Sequence, residues 1–262
     1  MNEVKIFFLS LFKGRQSIFI KYLSIFWTTI KYVNLLRKVD LWLSIILIPK
    51  IIKSQFFLEF HSNFNRERID NVNYFEDKYN FLYPDWFGSK ILVWSKIFRK
   101  FRQNINYLEI GSFEGRSAVF VSEQPNINSI TCVDTFEGGD EHSDINFQKV
   151  LLNINNNLKK SPCNNYKIIQ NNSNQFFLGN TRKFDVIYID GSHYYQDVKS
   201  DFINSMKFLK IDGILICDDF FWTYYSNIKD NPINAILECY LKYKNELEII
   251  FVNYQIIFKK IK

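Results

Sequence analysis

Two short stretches of the chain put acid and imidazole where a strand would end. The run Phe184 to Ile189 closes on Asp190-Gly191-Ser192-His193, and the run Gly213 to Cys217 closes on Asp218-Asp219. Adjacent carboxylates repel, and after a buried strand they need a cation, a base or a backbone cap to satisfy them. Carboxylate oxygens suit a hard divalent cation such as magnesium, and a histidine titrates near the working pH of a general base. The plainer uses are one acid capping the next segment and a histidine that only hydrogen-bonds at the surface. A second group lies upstream. Gly111 and Gly115, four apart in Gly111-Ser112-Phe113-Glu114-Gly115, let backbone approach a ligand and expose the amides that open the next helix. Asp134 follows Gly111 by 23 residues, where a carboxylate can accept from two vicinal ribose hydroxyls. Alone, the glycine turn is a tight turn and Asp134 a cap before Thr135; together they mark a nucleoside-binding half-sheet. The spacing is not GxGxxG, which weakens a dinucleotide reading.

These residues must be carried by something regular. From residue 104 onward short apolar runs (YLEI, ITCVD, YKIIQ, FDVIYID, GILICDD) alternate with amphipathic stretches at about 116, 144–159, 195–209 and 232–243. Val198, Phe202, Met206 and Leu209 form one stripe. Such alternation predicts an α/β fold, a mainly parallel sheet doubly wound by helices, with ligands at the carboxyl ends of its strands. The last two runs, LEIIFVN and YQIIFKK, are separated only by a tight turn and predict an antiparallel hairpin at the sheet edge.

Three segments follow: 1–60 helical, basic and apolar, 61–103 a connection or cap, and 104–262 the catalytic body. The net charge of +6 sits in the first segment, whose nine bases (Lys5, Lys13, Arg15, Lys21, Lys31, Arg37, Lys38, Lys50, Lys53) face three acids (Glu3, Asp40, Glu59). The body is balanced, which argues against nucleic acid as a partner. Ser17, Lys21, Ser24, Thr28 and Lys31 define a narrow polar stripe on an otherwise apolar helix, and a second apolar segment, Leu41 to Ile48, is expected to stop at Pro49. The run Ile6 to Phe12 is short and lacks a cleavage site, so a secretion signal is not favoured. Cys132, Cys163, Cys217 and Cys239 show no CxxC spacing and suit a reduced, cytoplasmic setting. Residues 1–60 either cap the acceptor site or contact an anionic membrane surface, the excess of base favouring the membrane.

The motifs Asp85-Trp86-Phe87, Glu109 to Ala118 (EIGSFEGRSA), Asp134 to His142 (DTFEGGDEH), Tyr188 to Asp201 (YIDGSHYYQDVKSD) and Asp218 to Trp222 (DDFFW) resemble a bacterial branch of the class I S-adenosylmethionine-dependent methyltransferases. The resemblance runs from about residue 82 to the end. Phe220 departs from it where tyrosine is usual, and Asp212-Gly213 where two glycines are usual. It implies a seven-stranded sheet and a methyl donor, S-adenosylmethionine, held by Glu109, Gly111, Ser112, Phe113, Gly115, Ser117, Asp134, Thr135, Ser173 and Asp190. The branch is similar to metal-dependent O-methyltransferases, which nominates Asp190, Asp218 and Asp219 for magnesium and, since Ser192 stands where those enzymes have a basic carboxylate, His193 as the base. The expected reaction is magnesium-assisted O-methylation of a small molecule or glycan. A related oxygenase, or a silent donor-binding module on the same fold, is the alternative, and a homo-oligomer is compatible with the sequence.

Overall fold

The computed structural model describes residues 15–60, 74–139, 142 and 144–262. The run Ile6 to Phe12, the bases Lys5 and Lys13, residues 61–73 of the connecting segment, and Asp140 and Glu141 of the third motif lie outside them. Seven strands form one sheet in the order β3-β2-β1-β4-β5-β7-β6. In chain order they are β1 (Ile105–Ile110), β2 (Ile127–Asp134), β3 (Tyr166–Gln170), β4 (Phe184–Ile189), β5 (Leu209–Cys217), β6 (Leu247–Val252) and β7 (Ile256–Lys260). The first five are parallel, and β7 lies antiparallel between β5 and β6.

Central strands of such a sheet are buried on both faces, which is why their runs are continuous rather than alternating. Ile105, Tyr107 and Leu108 of β1, and Val186, Ile187 and Tyr188 of β4, are all shielded from solvent. The same reasoning places the terminal hairpin. Ile256, Ile257 and Phe258 are fully buried, so β7 is an interior strand, while β6 exposes Glu248 and Ile250 and forms the edge. Asp212 takes a left-handed φ of 63° at the bend within β5, and aspartate tolerates that region better than most residues.

The helices are α1 (Arg15–Val39), α2 (Leu41–Phe60), α3 (Ile91–Phe98), α4 (Arg116–Ser122), α5 (Phe147–Lys160), α6 (Ser173–Gly179), α7 (Tyr195–Phe208) and α8 (Pro232–Tyr243). The expected stripe on α7 is buried at Val198, Phe202 and Met206. Asn146 caps α5 by accepting from the Lys149 amide, and Pro232 opens α8 at a position that needs no amide donor.

One boundary differs from expectation. Helix α2 does not stop at Pro49 but runs through it to Phe60. Pro49 is exposed, so the carbonyl it leaves without an amide faces water, while Leu43, Leu47 and Ile51 hold the buried face. The α1–α2 hairpin is packed into the body. Tyr32 stacks on Phe221 with centroids 3.8 Å apart, and its hydroxyl donates to Asn253 Oδ1 at 2.8 Å. Gln55 donates to the same oxygen at 3.1 Å, and the Val252 amide donates to Ser54 Oγ at 3.0 Å. Leu36, Leu43, Leu47 and Ile51 thereby share one core with β4, β5 and α8.

A proline in an exposed helix interior costs on the order of 3 kcal/mol relative to alanine, part of which a bend recovers. Pro49→Ala is therefore expected to raise the unfolding free energy by about 1–2 kcal/mol in urea titration. A loss of stability would mean that Pro49 itself is needed to seat α2 on β6.

Candidate active site

The parallel register brings the ends of β1, β4 and β5 to one rim. The Asp190 amide donates to the Ile110 carbonyl at 2.8 Å, and the Asp218 amide to the Ile189 carbonyl at 2.9 Å. The order 3-2-1-4-5 reverses direction between β1 and β4, and such a switch point is where open α/β sheets bind ligands. A cleft of about 1500 Å³ opens there, lined among others by Gly111, Asp134, Ser173, Asp190, His193 and Asp219.

The donor end is built on backbone. Gly111 has φ +81°, and a Cβ there would lie 2.1 Å from the Asp190 carbonyl oxygen, so only glycine lets β1 and β4 close at the rim. Asp134 Oδ2 accepts from the amides of Ser112 and Phe113 at 2.8 and 2.9 Å, and Oδ1 accepts from the Phe136 amide at 2.7 Å. Three of the four acceptor positions of the carboxylate are thereby filled, and one on Oδ1 remains for a ligand hydroxyl. Ser112, Phe113, Ser117 and Thr135 line the same cleft, with Ser173 at its far side.

Glu109 sits elsewhere. It is fully buried beneath the loop, accepting from Tyr107 at 2.6 Å and Ser117 at 2.7 Å, and it does not border the cleft. Two other motif residues also have structural partners. Buried Glu114 accepts from the amides of Leu82 and Tyr83 at 2.6 and 2.8 Å, and Arg116 donates to the Tyr83 carbonyl at 2.8 Å. They clamp the segment before α3 against the donor loop, and Trp86 then leans on Phe113 with centroids 5.2 Å apart.

At the acceptor end the acids separate into two roles. Asp218 is almost fully buried and pairs with Lys90, with the Tyr188 hydroxyl and, at 3.1 Å, with Gln255 Nε2. Its other oxygen accepts from the Asp219 amide at 2.8 Å. Burial works against the Lys90 ammonium, but the carboxylates of Asp218, Asp190 and Asp219 outweigh it and hold its pKa above the ordinary value. The Tyr188 hydroxyl also lies 2.6 Å from Asp190 Oδ2, its single proton shared between the carboxylates at the two strand ends. Burial, and then the charge of Asp218, raises the Asp190 carboxyl well above the usual carboxylate range.

Asp219 turns the other way, at a left-handed φ of 51°, and its Oδ2 lies 2.8 Å from His193 Nε2. Burial acts to raise its pKa, yet the hydrogen bond and charge of His193 and the charge of Lys90 hold it below the usual range. Asp190, His193 and Asp219 each offer a ligand atom within 4.8 Å of the others. Of the residues expected at a cation, Asp190 and Asp219 thus converge with His193, and Asp218 is committed to Lys90. Nothing in the spacing of the sequence singles out Lys90; Tyr188 opens the Tyr188–Asp201 motif, which was the available signal for it.

Residues 108–220 match a family model described as a methyltransferase domain. Over 121 residues the chain is 26% identical to an uncharacterized protein of Acanthamoeba polyphaga mimivirus, a match that covers 45% of this chain and about half, 53%, of that relative's length. Among solved structures, a Staphylococcus aureus protein provisionally named a caffeoyl-CoA O-methyltransferase superposes with a TM-score of 0.52 at 16% identity, covering 80% of this chain and all of that one (100%). An O-methyltransferase of Bacillus cereus in complex with SAH gives 0.47 at 14% identity over 75% of this chain and 90% of its own. The superposition on the Staphylococcus aureus protein shows the α/β fold.

Two expectations follow from the buried charges. Removing one partner of a buried pair strands the other, so Lys90→Met should cost about 3–5 kcal/mol, and adding Asp218→Asn should restore most of it. A double variant no better than the single one would mean that Lys90 stabilises by packing alone. Glu109 is pushed up to about 8, first by burial, against the hydrogen bonds from Tyr107 and Ser117. The folded state therefore keeps a proton that the unfolded chain releases, so the contribution is full at acid pH and is lost as pH rises through about 8. Between pH 5 and 8 the wild type should lose stability relative to Glu109→Gln by roughly 1 kcal/mol per pH unit, read by urea titration. Parallel pH profiles for the two proteins would rule this out.

Proposed function

We propose that the chain is an S-adenosylmethionine-dependent methyltransferase that methylates a hydroxyl oxygen of a small molecule or glycan. The match of residues 108–220 to the methyltransferase-domain family supports the donor. The observation that carries the acceptor chemistry is the His193–Asp219 pair at 2.8 Å, set beside Asp190 in the same cleft.

Gly111, Ser112, Phe113 and Gly115 shape the donor loop, Asp134 takes a ribose hydroxyl on Oδ1, and Thr135 and Ser173 border the nucleoside. When bound, the donor supplies an electrophilic methyl carbon on a sulfonium. The acceptor oxygen forms its new bond to that carbon, the sulfur–carbon bond breaks, and the hydroxyl proton must leave. His193 takes that proton. Asp219, whose Oδ2 lies 2.8 Å from His193 Nε2, stabilises the imidazolium once formed. Trp86, leaning on Phe113, borders the donor end.

A second reading is favoured by the proximity of three ligand atoms, those of Asp190, His193 and Asp219, within 4.8 Å of one another. Asp190, Asp219 and His193 fit a divalent cation such as magnesium, whereas Asp218, neutralised by Lys90, does not. The cation would lower the pKa of a bound hydroxyl. In this reading His193 is a ligand and not the base.

Calorimetry with S-adenosylhomocysteine should give a one-to-one complex that Asp134→Ala weakens by about 1.5–3 kcal/mol, with folding checked by circular dichroism. Unchanged affinity would remove Asp134 from the donor site. Paramagnetic resonance with Mn²⁺ then separates the two readings. Binding that is lost in both Asp219→Asn and His193→Ala establishes the cation site. No binding, with turnover falling about 100-fold in His193→Ala, establishes the base.

A further inference from the structure

Helices α1 and α2 carry a surface that the packing of the body does not use. Their inner faces are fixed by Tyr32, Ser54 and Gln55, while Phe19, Trp27 and Trp42 are 64%, 65% and 75% exposed, and Phe26, Ile45 and Ile46 are each more than half exposed. Isolated exposed apolar residues are ordinary in soluble proteins, but so many large ones on one helical pair mark an interaction surface. Charge is divided on the same pair. The acids are occupied internally, Asp40 accepting from the Leu43 amide at 2.8 Å and Glu59 from Ser24 Oγ at 2.8 Å. The bases Lys31, Arg37, Lys38 and Lys53 are exposed, and among the described residues none of them enters an ion pair.

We infer that the outward face of the α1–α2 hairpin docks on an anionic lipid bilayer, its aromatic and aliphatic side chains entering the interface and its free lysines and arginine pairing with lipid headgroups. Exposed tryptophan and phenylalanine beside unpaired cations are what an interfacial helix presents. A second copy of the chain is the poorer occupant, because a symmetric contact would bring the same four cations against their equivalents. Helix α2 is long and apolar enough to cross a membrane by length and composition. It lies on the surface instead, since Lys50 donates to the Ile249 carbonyl at 2.7 Å and Ser54 and Gln55 bind the β6–β7 turn, which ties its inner face to the sheet. The inference stands on this surface and not on the reaction, so its failure would leave donor binding untouched.

The test is co-sedimentation of the full chain with phosphatidylcholine vesicles with and without phosphatidylglycerol. The protein should bind the anionic vesicles, release as salt is raised, and ignore phosphatidylcholine alone. Trp27→Glu and Trp42→Glu should each lower partition about tenfold, and a Lys31→Gln, Arg37→Gln, Lys38→Gln triple variant should remove the dependence on anionic lipid. All these residues are exposed, so the variants should melt as the wild type does, and the comparison is made at matched melting temperature. Absence of vesicle binding overturns the inference. So does a concentration-dependent dimer, read by light scattering, that Trp42→Glu dissolves.

Discussion

Three carboxylates at the ends of two neighbouring parallel strands cannot all stay charged in a low-dielectric space unless positive charge is brought to them. Here it comes from a lysine that precedes the sheet. Lys90 reaches Asp218 only because the 84–98 segment is held against the body, and that segment is held by Glu114 and Arg116 of the donor loop and by Trp94, whose indole donates to Gln255 at 2.9 Å. Gln255 donates in turn to Asp218. One electrostatic demand therefore links the connecting segment, the first strand-to-helix loop and the last hairpin. It also frees Asp219 to face the cleft with His193.

The sheet was legible because its buried strands are continuous apolar runs and its helices carry a single stripe; the terminal antiparallel hairpin followed from the tight turn between the last two runs, whereas the order of the strands was not written in the pattern. The site was legible as a set of rim residues. What could not be read was how the set divides. Asp218 and Asp219 are the same residue type in adjacent positions, and only the backbone turn at Asp219, with its left-handed φ of 51°, sends one inward to Lys90 and the other outward to His193. Glu109 had the same ambiguity, since a motif position says nothing about which side of the loop a side chain takes. Pro49 was misread as a stop because local propensity was weighed without the tertiary contacts of Leu47 and Ile51 that override it.

The N-terminal helices were harder still. A helix apolar around most of its circumference reads equally as core and as membrane surface, and the structure divides that circumference into a packed half and an exposed half. Its inner half closes over Phe221 and the β6–β7 turn, and its outer half keeps its tryptophans and its bases. The hairpin also borders the cleft, through Lys21, Leu58 and Glu59.

The stretch that matches the methyltransferase-domain family ends at Phe220, and it begins after Lys90. The glycine turn at Gly111 and Asp134 lie within it, but the charge balance at the other end depends on Lys90 from one flank and Gln255 from the other. The two ends of the cleft therefore draw on different stretches of chain. A substitution at Lys90 or Gln255 would change the charge at the acid end, while the hydrogen bonds of Asp134 to the Ser112, Phe113 and Phe136 amides, all within one stretch, would stay as they are.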